Sequence, residues 1–61
     1  MSLADDLLKG VPEIAHHMGK TERATYHLIY NNQLPHFKIG GRIHARKSEL
    51  DAAFRSQAVN G

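Results

Sequence analysis

The chain contains no cysteine, which excludes disulfides and thiolate metal sites together. No apolar run approaches the roughly 18 residues of a membrane span, so no segment is expected to cross a bilayer. Met1 to Lys9 carries Asp5 and Asp6 and lacks a basic stretch followed by an apolar one, so a secretory signal is not expected there. Internal repeats, low-complexity tracts and a linker able to divide the chain are also missing. What is present, 61 residues at 41% hydrophobic and 23% charged, fits one small globular domain over residues 1–61 rather than a disordered tail. A core of this size is marginally stable and leaves little wall for a closed active-site pocket. A binding module is expected, and not an enzyme.

The formal charge of +2 is unevenly distributed. Between Lys20 and Lys47 stand Lys20, Arg23, Lys38, Arg42, Arg46 and Lys47 against the single acid Glu22, a net +5. The flanks set Lys9 and Arg55 against Asp5, Asp6, Glu13, Glu49 and Asp51, a net −3. A basic centre between acidic flanks points to one polyanion-facing surface.

The spacing of apolar residues and caps predicts mostly α structure with one small β-hairpin. A first helix over about 2–9 has Ser2 and Asp5 as a capping box and Leu3, Leu7 and Leu8 on one face. A second, over about 12–18, opens on Pro12 and Glu13, turns Ile14, Ala15 and Met18 inward and stops at Gly19. Thr21 caps a third, over about 21–31, with Ala24, Leu28 and Ile29 buried, Thr25 beside them, and an exit through Asn31 and Asn32. Leu34 anchors the entry to an extended segment that Pro35 opens. Residues 35–47 read as a hairpin around Gly40-Gly41. A three-residue loop, Gly40-Gly41-Arg42, would pair Ile39 with Ile43 and Phe37 with Ala45. It would gather His36, Lys38, His44 and Arg46 on the other face, so the hydrophobic pattern favours it over a two-residue turn. Ser48 and Asp51 form a second capping box for a last helix over about 48–56, with Leu50, Ala53 and Phe54 inward. Gln57 to Gly61 has no pattern and is expected to fray.

Two helices joined by a tight glycine turn, the second with an exposed polar-aromatic face, make a helix-turn-helix candidate. Lys20 and Thr21 lie at the turn, where the capped helix N-terminus favours a phosphate. The second helix of the pair would enter the major groove, about 12 Å wide, with Arg23 donating to guanine O6 and N7. His27 and Tyr30 are candidate base or phosphate contacts, and Tyr26 either touches DNA or packs against the hairpin. The hairpin becomes a wing whose Arg42 reaches a minor groove, with Lys38, His44, Arg46 and Lys47 along phosphates. Each feature alone is ordinary; their coincidence within one basic stretch is the informative point. The five histidines do not suggest a metal. His16 and His17 diverge by about 100° on a helix, and no His-x-x-x-His is present. No nucleophile-base pair or phosphate-cradling loop is present either, so no cofactor is expected.

Four stretches together resemble the excisionase family, whose members are MerR-like winged helix-turn-helix domains. They are Val11-Pro-Glu-Ile-Ala-His-His-Met-Gly, then Thr21 to Ile29, then Gln33-Leu-Pro-His-Phe-Lys-Ile-Gly-Gly-Arg, and last Ser48-Glu-Leu-Asp-Ala-Ala-Phe. The likeness covers about residues 10–54 and is most specific from Leu34 to Arg42. It implies a cytoplasmic, bacterial or phage-encoded protein of a mobile element. Such a protein binds and bends attachment-site DNA beside neighbouring copies of itself, so that an integrase excises. A small transcriptional regulator is the alternative it implies. By the resemblance Arg23, His27 and Tyr30 fall at recognition-helix positions and Arg42 at the wing tip. Glu22, where the family often has serine or arginine, makes this helix less basic than usual. A protein-interaction module with a basic face is the reading from a different class.

Overall fold

A computed structural model describes the backbone of residues 2–60 and the side chains of residues 2–55. The chain runs α1 (Leu3–Asp6), β1 (Leu7–Lys9), α2 (Val11–Met18), α3 (Glu22–Tyr30), β2 (Phe37–Ile39), β3 (Arg42–Arg46) and α4 (Lys47–Asn60). Four helices thus accompany a three-stranded antiparallel sheet with β3 between β1 and β2. Mostly helical architecture with a small hairpin is the observed class.

Both ends of the α2–α3 pair are local chemistry. α2 closes in a Schellman motif: Gly19 N–H donates to His16 O at 3.2 Å and Lys20 N–H to Ala15 O at 3.0 Å. This needs the left-handed backbone that Gly19 supplies at φ +67°. Thr21 Oγ1 then accepts from Ala24 N–H at 3.1 Å and starts α3. α3 ends in the same motif, with Asn32 at φ +54° and bonds from Asn32 to Ile29 and Gln33 to Leu28. Asparagine tolerates that conformation better than other residues bearing a side chain.

The first helix departs from its expected extent. Only Leu3–Asp6 is helical, and Leu7–Lys9 is a strand paired as Leu7↔Arg46, Leu8↔Ala45 and Lys9↔His44. Alternation in a strand sends Leu7 and Leu8 to opposite faces. Leu8 is therefore buried, Leu7 half-buried and Leu3 58% exposed, where one shared helical face was expected. Ser2 does not cap the helix by accepting a backbone N–H; its hydroxyl bonds the Asp5 carboxylate at 3.1 Å.

The hairpin register also departs. The pairs are Phe37↔His44, Lys38↔Ile43 and Ile39↔Arg42, around a two-residue Gly40-Gly41 turn. Both glycines have positive φ, +56° and +83°, as a type I′ turn requires, and that turn matches the twist of the flanking strands. Two glycines in sequence make this geometry nearly free of strain. Turn chemistry outweighed the apolar pairing that favoured a longer loop.

The core gathers Leu8, Val11, Ile14, Ile29, Leu34, Ala45 and Leu50, with Met18, Leu28, Ile43 and Phe54 packed against it. Every strand but β2 and every helix but α1 contributes to the buried cluster. On α3 the buried pair is Thr25 and Ile29, one turn apart, while Ala24 is exposed, contrary to expectation. Thr25 is tolerated at 0% exposure because its hydroxyl donates to Thr21 O at 2.9 Å, within its own helix.

α4 starts at Lys47 and its backbone stays helical to Asn60, past the expected end near 56. Gly61 and the side chains from 56 onward lie outside the described residues. Ser48 and Asp51 do not form the expected box. Asp6 caps α4 instead, 42 residues away in sequence, accepting from Ser48 N–H at 2.9 Å and from its hydroxyl at 2.7 Å. Asp51 bonds His17 Nε2 at 3.0 Å, tying α4 to α2. The hydrogen bonds from Ser48, side chain first and then backbone, hold the Asp6 carboxyl below its ordinary value, aided by Arg46 and Lys47. A lowered folded pKa means this contribution is complete above the ordinary carboxylate range and is lost as pH falls through the folded value. Asp6→Asn is therefore expected to lower Tm at neutral pH and to narrow the gap between Tm at pH 7 and at acid pH. Thermal melts of both proteins across pH check it; equal acid sensitivity would contradict it.

Candidate nucleic-acid interface

α3 has two sharply different sides. Thr25 and Ile29 face the core, while Arg23, Tyr26, His27 and Tyr30 are exposed. The spacing i, i+3, i+4, i+7 places these four on one face. Tyr30 is 81% and Tyr26 42% exposed. Their rings stack with centroids 6.2 Å apart and an interplanar angle of 24°, so Tyr26 has its aromatic partner on its own helix. Lys20, Thr21, Arg23, Ala24, His27 and Leu28 line one shallow concavity along the helix. Ammonium, hydroxyl and guanidinium groups stand at its start, beside the partial positive charge of the helix N-terminus, and the His27 imidazole follows in the last turn. Such a surface can bind a polyanion and donate hydrogen bonds. Glu22 is the one acid in the first turn.

The hairpin carries the second set of cations, arranged differently from the expected face. Cross-strand pairs share a face, so the outer face of the sheet holds Lys9 beside His44, Leu7 beside Arg46 and Ile39 beside Arg42, with Phe37 also opposite His44. Lys38 pairs with Ile43 and belongs to the opposite face, and His36 precedes β2. The expected grouping of His36, Lys38, His44 and Arg46 is therefore not found. Lys38 is still exposed, because β2 is an edge strand. His36 Nδ1 is held at 2.7 Å from Leu34 O.

His44 is only 8% exposed. Its Nδ1 lies 2.9 Å from Arg42 O, and its ring stacks on Phe37 at 5.9 Å. The Arg46 guanidinium sits 5.1 Å over that same Phe37 ring and bonds Glu49 at 2.9 Å. His44 and Arg46 thus stiffen the base of the hairpin. Arg42, in contrast, is exposed and flanks the turn rather than sitting inside it. Lys47 is half-buried at the start of α4.

Lys9 was missed as a member of this surface, because a helix over 2–9 hides its pairing with His44. The only signal was short-range: Leu-Leu-Lys before a glycine also fits a three-residue strand, but three residues are too few to establish a period. Among the described residues no cluster of three or more His, Asp or Glu could hold a metal ion. Among them, too, no helix is long and apolar enough to cross a membrane. Compared with known proteins, the chain matches no protein-family model, no curated protein and no solved structure.

Proposed function

We propose that this protein binds double-stranded DNA sequence-specifically as a winged helix-turn-helix, with α3 in the major groove and the β2–β3 hairpin as the wing. The observation that carries the reading is the exposed side of α3, where Arg23, Tyr26, His27 and Tyr30 stand together opposite the buried Thr25 and Ile29. A helix so divided is held rigidly from behind and presents hydrogen-bond donors and aromatic surface in front, as groove reading needs. Lys20 and the Thr21 cap place cation and helix N-terminus where a phosphate would lie. Arg42, exposed beside a bare Gly-Gly turn, suits a narrow minor groove. Lys9, Lys38 and Arg46 supply further charge, with Arg46 partly committed to Glu49.

Within this reading we favour a recombination directionality factor, on the strength of the excisionase-like stretches from Val11 to Phe54. Its partners would be attachment-site DNA, an integrase and neighbouring copies.

Fluorescence anisotropy tests the DNA reading. Labelled duplexes recovered by selection from a random pool, and scrambled versions of them, are titrated across salt. Binding through about 4 to 6 phosphates gives a log–log slope of about −4 to −5, with preference for the selected sequence. Failure to bind either duplex at low salt overturns the proposal. Bending of the selected duplex then separates an architectural role from simple promoter occupancy.

A further inference from the structure

The observed register changes which side chains lead at the end of the hairpin. Gly40 and Gly41 form the tip, and a Cβ added at either would meet nothing within 4 Å. The tip is therefore slim and carries no side chain. The first side chains behind it are Ile39 and Arg42, directly paired and on the same face. In such a pair the Cβ atoms stand about 4.5–5.5 Å apart, so a surface met by one is met by both.

Ile39 is 52% exposed. A single exposed isoleucine is ordinary; its place is what gives this one meaning. Ile43 and Ala45, the other aliphatic side chains of the hairpin, turn toward the core. Farther from the tip, on the face that Ile39 shares, Phe37, His44 and Arg46 are engaged with one another. Ile39 lies beyond that stack, next to a cation, at the slim end of the hairpin.

We propose that Ile39 is a minor-groove contact that acts with Arg42: the guanidinium enters the groove and the isoleucine packs against sugar and base edges, prising a base step and bending the duplex. This rests on the DNA-binding reading above and adds to it an apolar element and a source of bending. The chemistry is complementary. A minor groove about 6 Å wide attracts a cation along its floor and presents apolar deoxyribose walls. An aliphatic wedge at a base step kinks DNA toward the major groove. Arg42 contributes charge and therefore salt dependence; Ile39 contributes apolar contact and therefore none.

The test compares Ile39→Thr, Ile39→Val and Arg42→Ala with the unaltered protein on one selected duplex. Affinity is measured across salt, and bending by energy transfer between the duplex ends. Threonine keeps the β-branch and the strand preference, so the hairpin is retained, and thermal melts verify that. Ile39→Thr is expected to bind about tenfold more weakly, the loss for about half the burial of an isoleucine, with the salt slope unchanged and the bend reduced. Ile39→Val should stay within about threefold, since it loses one methylene. Arg42→Ala should reduce the salt slope by about 1. Replacing guanine by inosine removes the amino group from the minor groove. At the wing site this should strengthen binding of the unaltered protein more than that of Ile39→Thr, which keeps only the Arg42 contact. Equal affinity and bend for Ile39→Thr and the unaltered protein would overturn this inference and leave the DNA reading standing. If the unaltered protein binds no duplex, both fall.

Discussion

Ile14→Ala is expected to leave most molecules unfolded at room temperature. Ile14 is 0% exposed and belongs to a cluster with Leu8, Val11, Ile29, Leu34, Ala45 and Leu50. Those partners come from β1, β3, α3, α4 and the segment between α3 and β2 as well as from its own helix, so Ile14 belongs to a cluster that joins most of the fold. Truncating such a side chain removes its transfer free energy and opens a cavity, at about 2–5 kcal/mol. A domain this short holds only about 3–5 kcal/mol in reserve, so the loss is of the same size as the total. Urea titration followed by circular dichroism checks it. The unaltered protein should unfold cooperatively, the alanine variant should lack a native baseline, and Ile14→Val should remain folded at a loss of about 0.5–1.5 kcal/mol. A wild-type midpoint for Ile14→Ala would show that the cluster does not carry the fold.

Arg23→Ala is expected to weaken binding to the preferred duplex about tenfold to a hundredfold, the worth of one bidentate arginine–guanine pair. Arg23 is exposed in the first turn of α3, and the Thr21 cap bonds Ala24, not Arg23. The fold should therefore survive the change. The pattern of loss matters more than its size. A base contact lowers the preference for the selected sequence and leaves the salt slope intact. A phosphate contact weakens all sequences alike and takes about 1 from the slope. Anisotropy on selected and scrambled duplexes at several salt concentrations separates the two. Unchanged preference after Arg23→Ala would move the reading element away from the start of α3.

The α2–α3 unit was legible from the sequence almost in full. Gly19, Thr21 and the asparagine pair mark its ends, and Ile14, Ala15 and Ile29 its inner side. The exposed Arg23, Tyr26, His27 and Tyr30 followed from helical spacing once the ends were known. The more apolar Ala24 suits the buried stripe by composition, but its neighbour Thr25 occupies it at 0% exposure, because the threonine hydroxyl bonds the preceding turn and needs no water. Of the candidate wing, a hairpin centred on Gly40-Gly41 and the exposure of Arg42 were legible; the two-residue turn, with Arg42 paired to Ile39 and not inside the loop, was not. Nor was the pairing: apolar matching favours Ile39 beside Ile43, whereas the geometry of the Gly-Gly turn sets Ile39 beside Arg42. One residue of register moved Lys38 to one face and left His44 with Phe37 and Arg46 on the other.

The local features that the sequence determined by itself act within about one helical turn: the Thr21 cap, the Gly19 stop and the buried and exposed sides of α2 and α3. A bond between residues three to five apart can be read from their identities where no distant group competes for them, as at Gly19 and Thr21. The tertiary structure alone decided that Leu7–Lys9 leaves the helix to pair with β3, that Asp6 rather than Asp51 answers Ser48, and that His17 takes Asp51. The side-chain partners among these lie 34 and 42 residues apart. Which of several competent donors and acceptors meet at that distance depends on how the whole chain closes around Ile14 and Leu50. A strand as short as β1 has no preference of its own until an edge is there to receive it.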